Sequence, residues 1–429
     1  MPAGPLPLDA FMSSTPAGCL AAGAAAVEIT PPRPAGIWLA GFGAERACSG
    51  VHDPLFARAL VVAAAGTPLV IVAADLIGLS LARTRRLQQR LTSRYPDAIH
   101  IVCTHNHQGP DTLGIWGPAF LGRLPYRNGQ DPAYMDFLEA RLVACVERAL
   151  ASARPARLHV ASGTFDAAGR WVHNERAAVA DRELRLIQLD DQAGESIASL
   201  VQYACHPETL WKANRQISAD FCGVCCEMIE KRLGGTALYI NGALGAMVSA
   251  AIGHDTLSRS RETFMYGLGR ALGRAALRLV GRARLAPVLD PAISVGGGEV
   301  SIPASGNRFY QVLVALGVVD KREFAPDMVS RVSFCRLGPA SITFLPGEAS
   351  PALGLEILAR VPGKPRLLAC LADDELGYLL TPEMFHDRIY AYERGMSPGH
   401  QAAVRLVLAV EKLAIPNSQV SKNSLPSVL

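Results

Sequence analysis

The sequence has few charged residues: Asp, Glu, Lys and Arg make up 19% of its 429 residues, whereas 50% are hydrophobic. A chain of this composition can bury a large core, which excludes an intrinsically disordered protein. The formal net charge is only +4, and the basic residues are dispersed rather than gathered in a patch. No nucleic-acid-binding motif is present, so we expect no nucleic-acid partner.

Signals for export and for membrane insertion are also lacking. No Lys or Arg precedes the first apolar stretch at residues 19–27, so the basic region of a secretory signal is missing. The longest apolar tract, residues 59–81, is broken by Gly66-Thr67-Pro68 and by Asp75, which favours two strands joined by a turn over a transmembrane helix. We therefore expect a cytoplasmic protein without a transmembrane segment.

Cysteine spacing of the kind found in small disulfide-bonded domains is absent as well. Most of the ten cysteines lie inside apolar segments, where a free thiol behaves as a small hydrophobic group. Cys222, Cys225 and Cys226 fall on one face of a predicted helix, but no second pair exists to complete a four-thiolate zinc site. We expect reduced thiols whose role is packing.

What the sequence does contain is a short apolar strand that ends in two histidines. Residues 101–110 read Ile-Val-Cys-Thr-His-Asn-His-Gln-Gly-Pro, so His105 and His107 stand where a strand gives way to a loop. A strand at residues 69–74 and a helix at 83–94 precede it, and this order predicts a crossover unit with a site at its strand ends. The two histidines can bind metal, act in catalysis or simply hydrogen-bond to nearby backbone.

Two further predicted strands end in groups that can bind metal. Residues 200–207 form an apolar strand that ends in His206 and a proline, and the hairpin at 332–345 leads into Pro-Gly-Glu with Glu348. Two histidines and a carboxylate with an open position form a hydrolytic zinc set. Spacing alone leaves open whether these groups meet, because His206 could bond to its own loop and Glu348 could begin a helix.

The chain as a whole is predicted to be one large α/β domain. We expect a flexible leader at residues 1–20, a domain at 21–415 with mixed β-sheet flanked by helices and a metal site at the carboxyl-terminal strand ends, and a flexible tail at 416–429. No internal repeat is evident in the sequence. A loop rich in Gly and Pro at residues 111–131 carries Trp116, Phe120 and Tyr126, and it is either a flap packed on the core or the wall of a substrate channel.

The histidine motif resembles a family signature. Residues 104–110, Thr-His-Asn-His-Gln-Gly-Pro, are similar to the Thr-His-Thr-His-Ser-Gly-Pro of the neutral/alkaline ceramidase family, and shorter matches follow in order, including Cys-His-Pro at 205–207, Pro-Gly-Glu at 346–348 and Tyr-Glu-Arg-Gly at 392–395. The resemblance covers residues 21–415, the catalytic domain of that family. It implies a zinc-dependent hydrolase of sphingolipid metabolism that cleaves a linear amide such as ceramide.

The resemblance also implies the residues of the site. Zinc would be held by His105, His206, Glu348 and Tyr378, and three residues would act on the substrate: His107, Arg176 and Ser249. Arg176 stands one residue out of register with the Asn-Arg pair of the family. Ser249 falls in a loop, residues 245–250, that lacks the Asp and Pro of the family and is one residue longer.

Two other functions remain open from the sequence. The same fold and metal could serve a small or sugar-linked amide or ester, or the chain could be a non-catalytic binding protein with a metal pocket, which the altered loop at 245–250 favours. The presence of every expected metal ligand favours an enzyme. No Gly-x-Ser-x-Gly motif is present to indicate a serine hydrolase instead.

Overall fold

The computed structural model describes residues 5–14, 20–249, 258–303, 308–318 and 327–415. Its helices are α1 (Pro7–Ser14), α2 (Leu81–Leu91), α3 (Pro132–Ala151), α4 (Asp220–Leu233), α5 (Ser258–Ala283), α6 (Arg308–Ala315), α7 (Pro351–Arg360), α8 (Pro382–His386), α9 (Ala391–Gly395) and α10 (Ala402–Ala414). Among the described residues, none of the helices combines the length and the apolar character needed to cross a bilayer.

The strands are mostly short, and the longest have eleven residues. They are β1 (Ala21–Glu28), β2 (Gly50–Val51), β3 (Phe56–Ala64), β4 (Thr67–Ala74), β5 (Ile99–Cys103), β6 (Ala119–Phe120), β7 (Leu124–Pro125), β8 (Arg154–Thr164), β9 (Val172–Asn174), β10 (Glu183–Asp191), β11 (Ser196–Tyr203), β12 (Gln216–Ile217), β13 (Thr236–Asn241), β14 (Met247–Ser249), β15 (Ile293–Pro303), β16 (Asp327–Leu337), β17 (Ala340–Phe344), β18 (Glu348–Ala349), β19 (Arg366–Ala369) and β20 (Tyr378–Leu379).

The main strands form three units with the same order and pairing. In each unit, three strands pair antiparallel in sequence, and a crossover helix leads to a fourth strand that runs parallel to the third. The units are β1-β3-β4-α2-β5, β8-β10-β11-α4-β13 and β15-β16-β17-α7-β19. A longer helix then packs on the first two strands of each unit: α3, α5 and α10, respectively. The expectation of no internal repeat was therefore wrong for the topology.

The three units share a core between their inner faces. Neighbouring residues of a strand point to opposite faces, so in β3 Val61 packs on the side of α3 while Leu60 and Val62 point inward. Leu60, Leu200 and Ile342, one from each unit, belong to one buried cluster. Strands buried on both faces have nearly continuous apolar sequences, which explains the apolar tract at residues 59–81. The mixed α/β fold expected from the sequence is confirmed.

The carboxyl-terminal ends of the three parallel strands are hydrogen-bonded to one another. The Asn241 side chain, at the end of β13, donates from Nδ2 to the Thr104 carbonyl after β5 over 2.7 Å. The Asn241 carbonyl accepts from the backbone N–H of Cys370, after β19, over 2.9 Å, and the Cys103 N–H donates to the Leu371 carbonyl over 3.0 Å. The loops that leave these strands therefore meet at one end of the molecule.

The predicted flexible leader needs a correction, because α1 lies within it. Leu8 is fully buried, and Met12 belongs to the same core cluster. The buried Asp9 carboxylate accepts from the Thr92 hydroxyl over 2.6 Å and from the Ser93 N–H over 2.9 Å. The partners of this helix are distant in sequence, so the segment alone did not reveal its docking. Residues 1–4 and 15–19 of the predicted leader and the predicted tail at 416–429 lie outside the described residues.

Several predicted elements have the expected positions, but β15 was missed. The crossover β4-α2-β5 and the hairpin β16-β17 around Gly338-Pro339 are present. Gly296, Gly297 and Gly298 interrupt the side-chain pattern of β15, so that strand lacks a clear period-2 signal. Cysteines at nine described positions are free and buried. The three on α4 pack in the core against α5, as expected for a packing role.

Candidate metal centre

Two histidines turn the same ring nitrogen toward one point. His105 follows β5 and has a φ of +64°, a conformation that is uncommon outside glycine and occurs where the surroundings enforce it. Its Nδ1 lies 2.9 Å from the carbonyl of Ile77, and Nδ1 of His206 lies 3.0 Å from the carbonyl of Met247. A carbonyl only accepts hydrogen bonds, so each ring carries its proton on Nδ1 and directs Nε2 into the site.

The Glu348 carboxylate faces both of these nitrogens. Its Oε2 lies 3.0 Å from Nε2 of His206 and 3.4 Å from Nε2 of His105. An imidazole nitrogen without a proton and a carboxylate are both electron-pair donors, so a positive charge must lie between them. Burial alone raises the pKa of Glu348, but the His105 and His206 rings outweigh burial and hold it well below its usual value.

The opposite effect acts on His206. Burial lowers the pKa of this ring, and the hydrogen bond and negative charge of Glu348 more than reverse the effect, which raises the pKa to about 9. Both shifts have one cause: the negative charge of Glu348 and a positive charge on the His206 ring stabilise each other.

The residues present fit a bound metal ion. His105, His107 and His206 each offer a nitrogen, and these nitrogens lie within 4.8 Å of one another. Within the described ranges, this buried group is the one set of three or more His, Cys, Asp or Glu arranged in this way. Two imidazoles with fixed tautomers, a carboxylate and room for a further ligand form a donor set typical of divalent transition metals. This buried group could therefore hold a metal.

His107 lies beside this donor set with its own nitrogens unused. Across the described part of the chain, neither ring nitrogen has a hydrogen-bond partner, and Nδ1 is 3.9 Å from the nearer carboxylate oxygen of Glu208. Burial, followed by the charges of His105 and His206, lowers the pKa of His107 well below its usual value.

Gly41 and Phe42, in the segment that precedes β2, position the His107 ring. Phe42 contacts it edge to face, with 5.0 Å between ring centroids. The preceding residue, Gly41, has a φ of +94°, and a Cβ at that position would lie 2.4 Å from Cγ of His107. Only glycine allows this approach, so the backbone itself fixes the ring.

A cavity of about 480 Å³ opens onto these groups. Four of the residues that could bind metal or act on a substrate line it, namely His105, His107, Glu348 and Tyr378. Tyr378 pairs with Glu348 between β20 and β18. Burial and the charge of Glu348 raise the pKa of Tyr378. The sequence motifs separated by hundreds of residues thus meet in one place.

The long loop at residues 111–131 forms part of the cavity wall. Leu113, Ile115, Trp116 and Pro125 line the cavity, as the channel-wall hypothesis requires. Phe120 and Tyr126 do not line it and are 58% and 45% exposed. The loop also contains the short hairpin β6-β7, which the sequence did not reveal.

Comparisons with known proteins agree with this geometry. Residues 21–258, more than half of the chain, match the family described as neutral/alkaline non-lysosomal ceramidase, N-terminal. The chain belongs to this family. The neutral ceramidases of Drosophila melanogaster and Drosophila pseudoobscura pseudoobscura are each 25% identical to it over 226 residues, which are 48% of this chain and 31% of either relative. The match thus spans about a third of the length of these relatives.

Solved ceramidase structures share the fold. The crystal structure of neutral ceramidase from Pseudomonas aeruginosa superposes with a TM-score of 0.76 at 19% identity, over 93% of this chain and 75% of that one. A ceramidase complexed with C2 also gives 0.76, at 18% identity, over 92% and 75% of the two chains. The similarity therefore extends beyond the family match into the third unit, which supplies Glu348 and Tyr378.

Three residues assigned from the ceramidase resemblance do not line the cavity: Arg176, Ser249 and His206, the last of which faces the cavity residue Glu348. Arg176 donates from Nε to the buried Glu393 carboxylate over 2.7 Å, next to the cavity residue Tyr392. Ser249 is buried in β14, opposite Val172 of β9. Ala250 and the following residues to 257 lie outside the described residues. Catalytic roles for Arg176 and Ser249 stay predictions from the family pattern.

Sequence reasoning missed two carboxylates beside the site. Burial raises the pKa of Glu208 to about 7, and its Oε1 has no partner in the described ranges. Glu375 lines the cavity, where burial and the nearby Glu348 charge raise its pKa. Glu208 follows His206 by two residues and Glu375 precedes Tyr378 by three, so proximity to the motifs was the available signal.

The metal centre predicts a specific loss in one variant. His206→Ala removes an imidazole and leaves Glu348 buried with less compensation, so metal affinity should fall by more than the roughly 10–100-fold typical when an outer partner of a ligand is removed. Inductively coupled plasma mass spectrometry of the purified protein measures the bound metal, and circular dichroism verifies folding.

His159→Ala is the matched control, because that buried ring faces Asp190 at 3.3 Å and lies outside the cavity. It should retain the metal. A folded His206→Ala protein with full metal content would contradict the assignment.

Proposed function

We propose that this chain is a zinc-dependent hydrolase that cleaves the linear amide bond of a lipid-like substrate, with ceramide as the leading candidate. The observation that carries the proposal is the convergence of His105 and His206 Nε2 on the Glu348 carboxylate at the wall of a cavity. Membership of the ceramidase family supports hydrolysis of an amide. The donor set supports zinc, since two imidazoles and a carboxylate are its usual hydrolytic ligands.

His105, His206 and Glu348 would hold the zinc ion, and Tyr378, which pairs with Glu348, would be the fourth protein ligand. When bound, zinc supplies Lewis-acid chemistry that polarises a carbonyl and makes water acidic enough to react near neutral pH. The carbonyls of Ile77 and Met247 hold the two rings in the required tautomer. Ligands on rigid strand ends keep their geometry without reorganisation.

His107 would act on the substrate rather than on the metal. Because its pKa is lowered, the ring is neutral at physiological pH, with one nitrogen able to donate and the other able to accept. The donating nitrogen can stabilise negative charge on the carbonyl oxygen of the substrate, and the accepting nitrogen can take up a proton. Phe42 and Gly41 keep the ring in place for either role.

The cavity walls favour an apolar acyl chain. Phe42, Leu113, Ile115 and Trp116 contribute apolar lining, and the charged or titratable lining residues include Glu348, Glu375, Arg123 and Lys212. A mostly apolar pocket with a few convergent polar groups is the usual form of a site for a small organic ligand. A small, polar or sugar-linked amide would leave these apolar walls uncovered.

The proposal predicts a dependence on acyl chain length. For soluble N-acyl amides, kcat/KM should rise about fourfold with each added methylene until the cavity is full, since burial of each is worth about 0.8 kcal/mol. Trp116→Ala should flatten this dependence more than it impairs an N-acetyl substrate. Tyr126→Ala, an exposed aromatic of the same loop, should leave it unchanged.

Equal cleavage of short polar and long-chain amides would favour the small-amide alternative. A zinc-loaded protein that cleaves neither, yet binds N-acyl amides, would favour the binding-protein alternative.

A second prediction separates chemistry from metal binding. His107→Ala should keep its zinc, because two other imidazoles and Glu348 remain, but kcat should fall by about 100-fold or more if the ring contacts the reacting atoms. Stopped assays with the best substrate and metal analysis of the same sample provide both readouts. An unchanged kcat would show that His107 is only a structural neighbour of the site.

A further inference from the structure

The hairpin β6-β7 exposes an unusual amount of apolar surface. We refer to residues 120–127 as the hairpin tip. Within it, Phe120 is 58% exposed, Leu121 98% and Tyr126 45%. Isolated exposed apolar residues are common on soluble proteins, but a cluster of them in one hairpin is typical of an interaction surface.

The backbone directs this apolar surface outward. Leu121 has a φ of +49°, a conformation that a leucine rarely adopts, and Gly122 follows at +65°. The Arg123 N–H closes the turn by donating to the Phe120 carbonyl over 3.0 Å. The Phe120 and Tyr126 rings contact each other, with 4.6 Å between centroids, so they form one surface. A strained turn that exposes a leucine is stable only if its surroundings maintain it.

Residues of the tip itself border the cavity and anchor the tip to the protein. Leu124 and Trp116 pack against a small cluster that contains Leu313 of α6. Gly122, Arg123 and Pro125 line the cavity that contains the metal centre. The tip therefore stands at the cavity mouth on an anchored support. Tyr392, another residue that lines this cavity, is 61% exposed.

The charges at the tip are basic. Arg123 and Arg127 are both exposed, and one carboxylate beside the hairpin, that of Glu45, accepts from the backbone N–H of Ala119 over 3.1 Å. Exposed Leu and Phe beside Arg, with an aromatic ring at the border, match the amphipathic surface that inserts into a lipid interface. Basic side chains add attraction to anionic headgroups.

We infer that the hairpin tip docks on the surface of an anionic lipid bilayer, with Phe120, Leu121 and Tyr126 among the acyl chains and Arg123 and Arg127 at the lipid phosphates. Docking would bring the mouth of the cavity against the bilayer, where a lipid amide resides. The inference rests on the proposed function only for the reason why the chain would dock. The docking surface itself does not depend on catalysis.

Sedimentation with vesicles tests the inference. The full chain should bind vesicles of equal parts phosphatidylcholine and phosphatidylglycerol more tightly than vesicles of phosphatidylcholine alone. Leu121→Ser should weaken binding by about tenfold or more, because a leucine side chain no longer leaves water. Arg127→Glu should weaken binding to the anionic vesicles several-fold and reduce its salt dependence.

The chain offers matched controls for both changes. Leu289 is 95% exposed, next to Val288, whose N–H donates to Leu158. In the sheet, Leu158 pairs with Leu189, which in turn pairs with Ala198 near the start of β11. His206 follows the other end of β11, so Leu289 lies away from the site. Leu289→Ser and Arg278→Glu, the latter on the exposed side of α5, should bind vesicles as the unmodified chain does.

The outcomes separate docking from catalysis. Equal binding by the unmodified and Leu121→Ser chains, or no binding to anionic vesicles, would overturn the inference. A change of oligomeric state in Leu121→Ser by analytical ultracentrifugation, without an effect on vesicle binding, would assign the tip to a contact between copies of the chain. Because binding is measured without turnover, a chain that docks but cleaves no amide would refute the proposed function and leave the docking surface intact.

Discussion

The position of one carboxylate governs the site. Glu348 faces Nε2 of two histidines whose Nδ1 atoms are already used by backbone carbonyls. Neither ring can relieve the opposition of electron pairs by exchanging tautomers without losing its bond to the backbone. A proton on Nε2 satisfies one ring at a time, as the raised pKa of His206 indicates, whereas a metal cation would satisfy all three groups together. The surrounding structure serves to keep this arrangement buried and fixed.

Each repeated unit contributes one part of that arrangement. The first supplies His105, the second His206 and the third Glu348, each from the segment that follows a core strand. The hydrogen bonds that join Asn241, Thr104 and Cys370 hold these ends together. The site consequently depends on correct packing of all three units, and the positive φ of His105 is a local cost that this packing supports. The hairpin tip lies at the same cavity as these groups.

The sequence predicted much of the fold and the identity of the site residues that end strands. Apolar runs followed by His105, His206 and Glu348 are local patterns, so they could be recognised without knowing the fold. Their convergence is a long-range property, and only the family resemblance indicated it. The sequence did not reveal the repeat, because the segments that follow the third strand of each unit carry different residues, namely Asp75, His206 and Glu348. The pKa shifts of Glu208 and Glu375 arise from burial and charges in the folded chain, and the docking of α1 depends on residues distant in sequence. The sequence alone therefore showed no more than the nearness of the two carboxylates to the motifs.

Anomalous X-ray diffraction at the zinc absorption edge, from crystals of the zinc-loaded chain, tests the central claim most directly. The account predicts one strong peak about 2.0–2.2 Å from Nε2 of His105, Nε2 of His206 and a carboxylate oxygen of Glu348. A zinc peak elsewhere, for example at the thiols of Cys222, Cys225 and Cys226, with none between these three side chains, would contradict it.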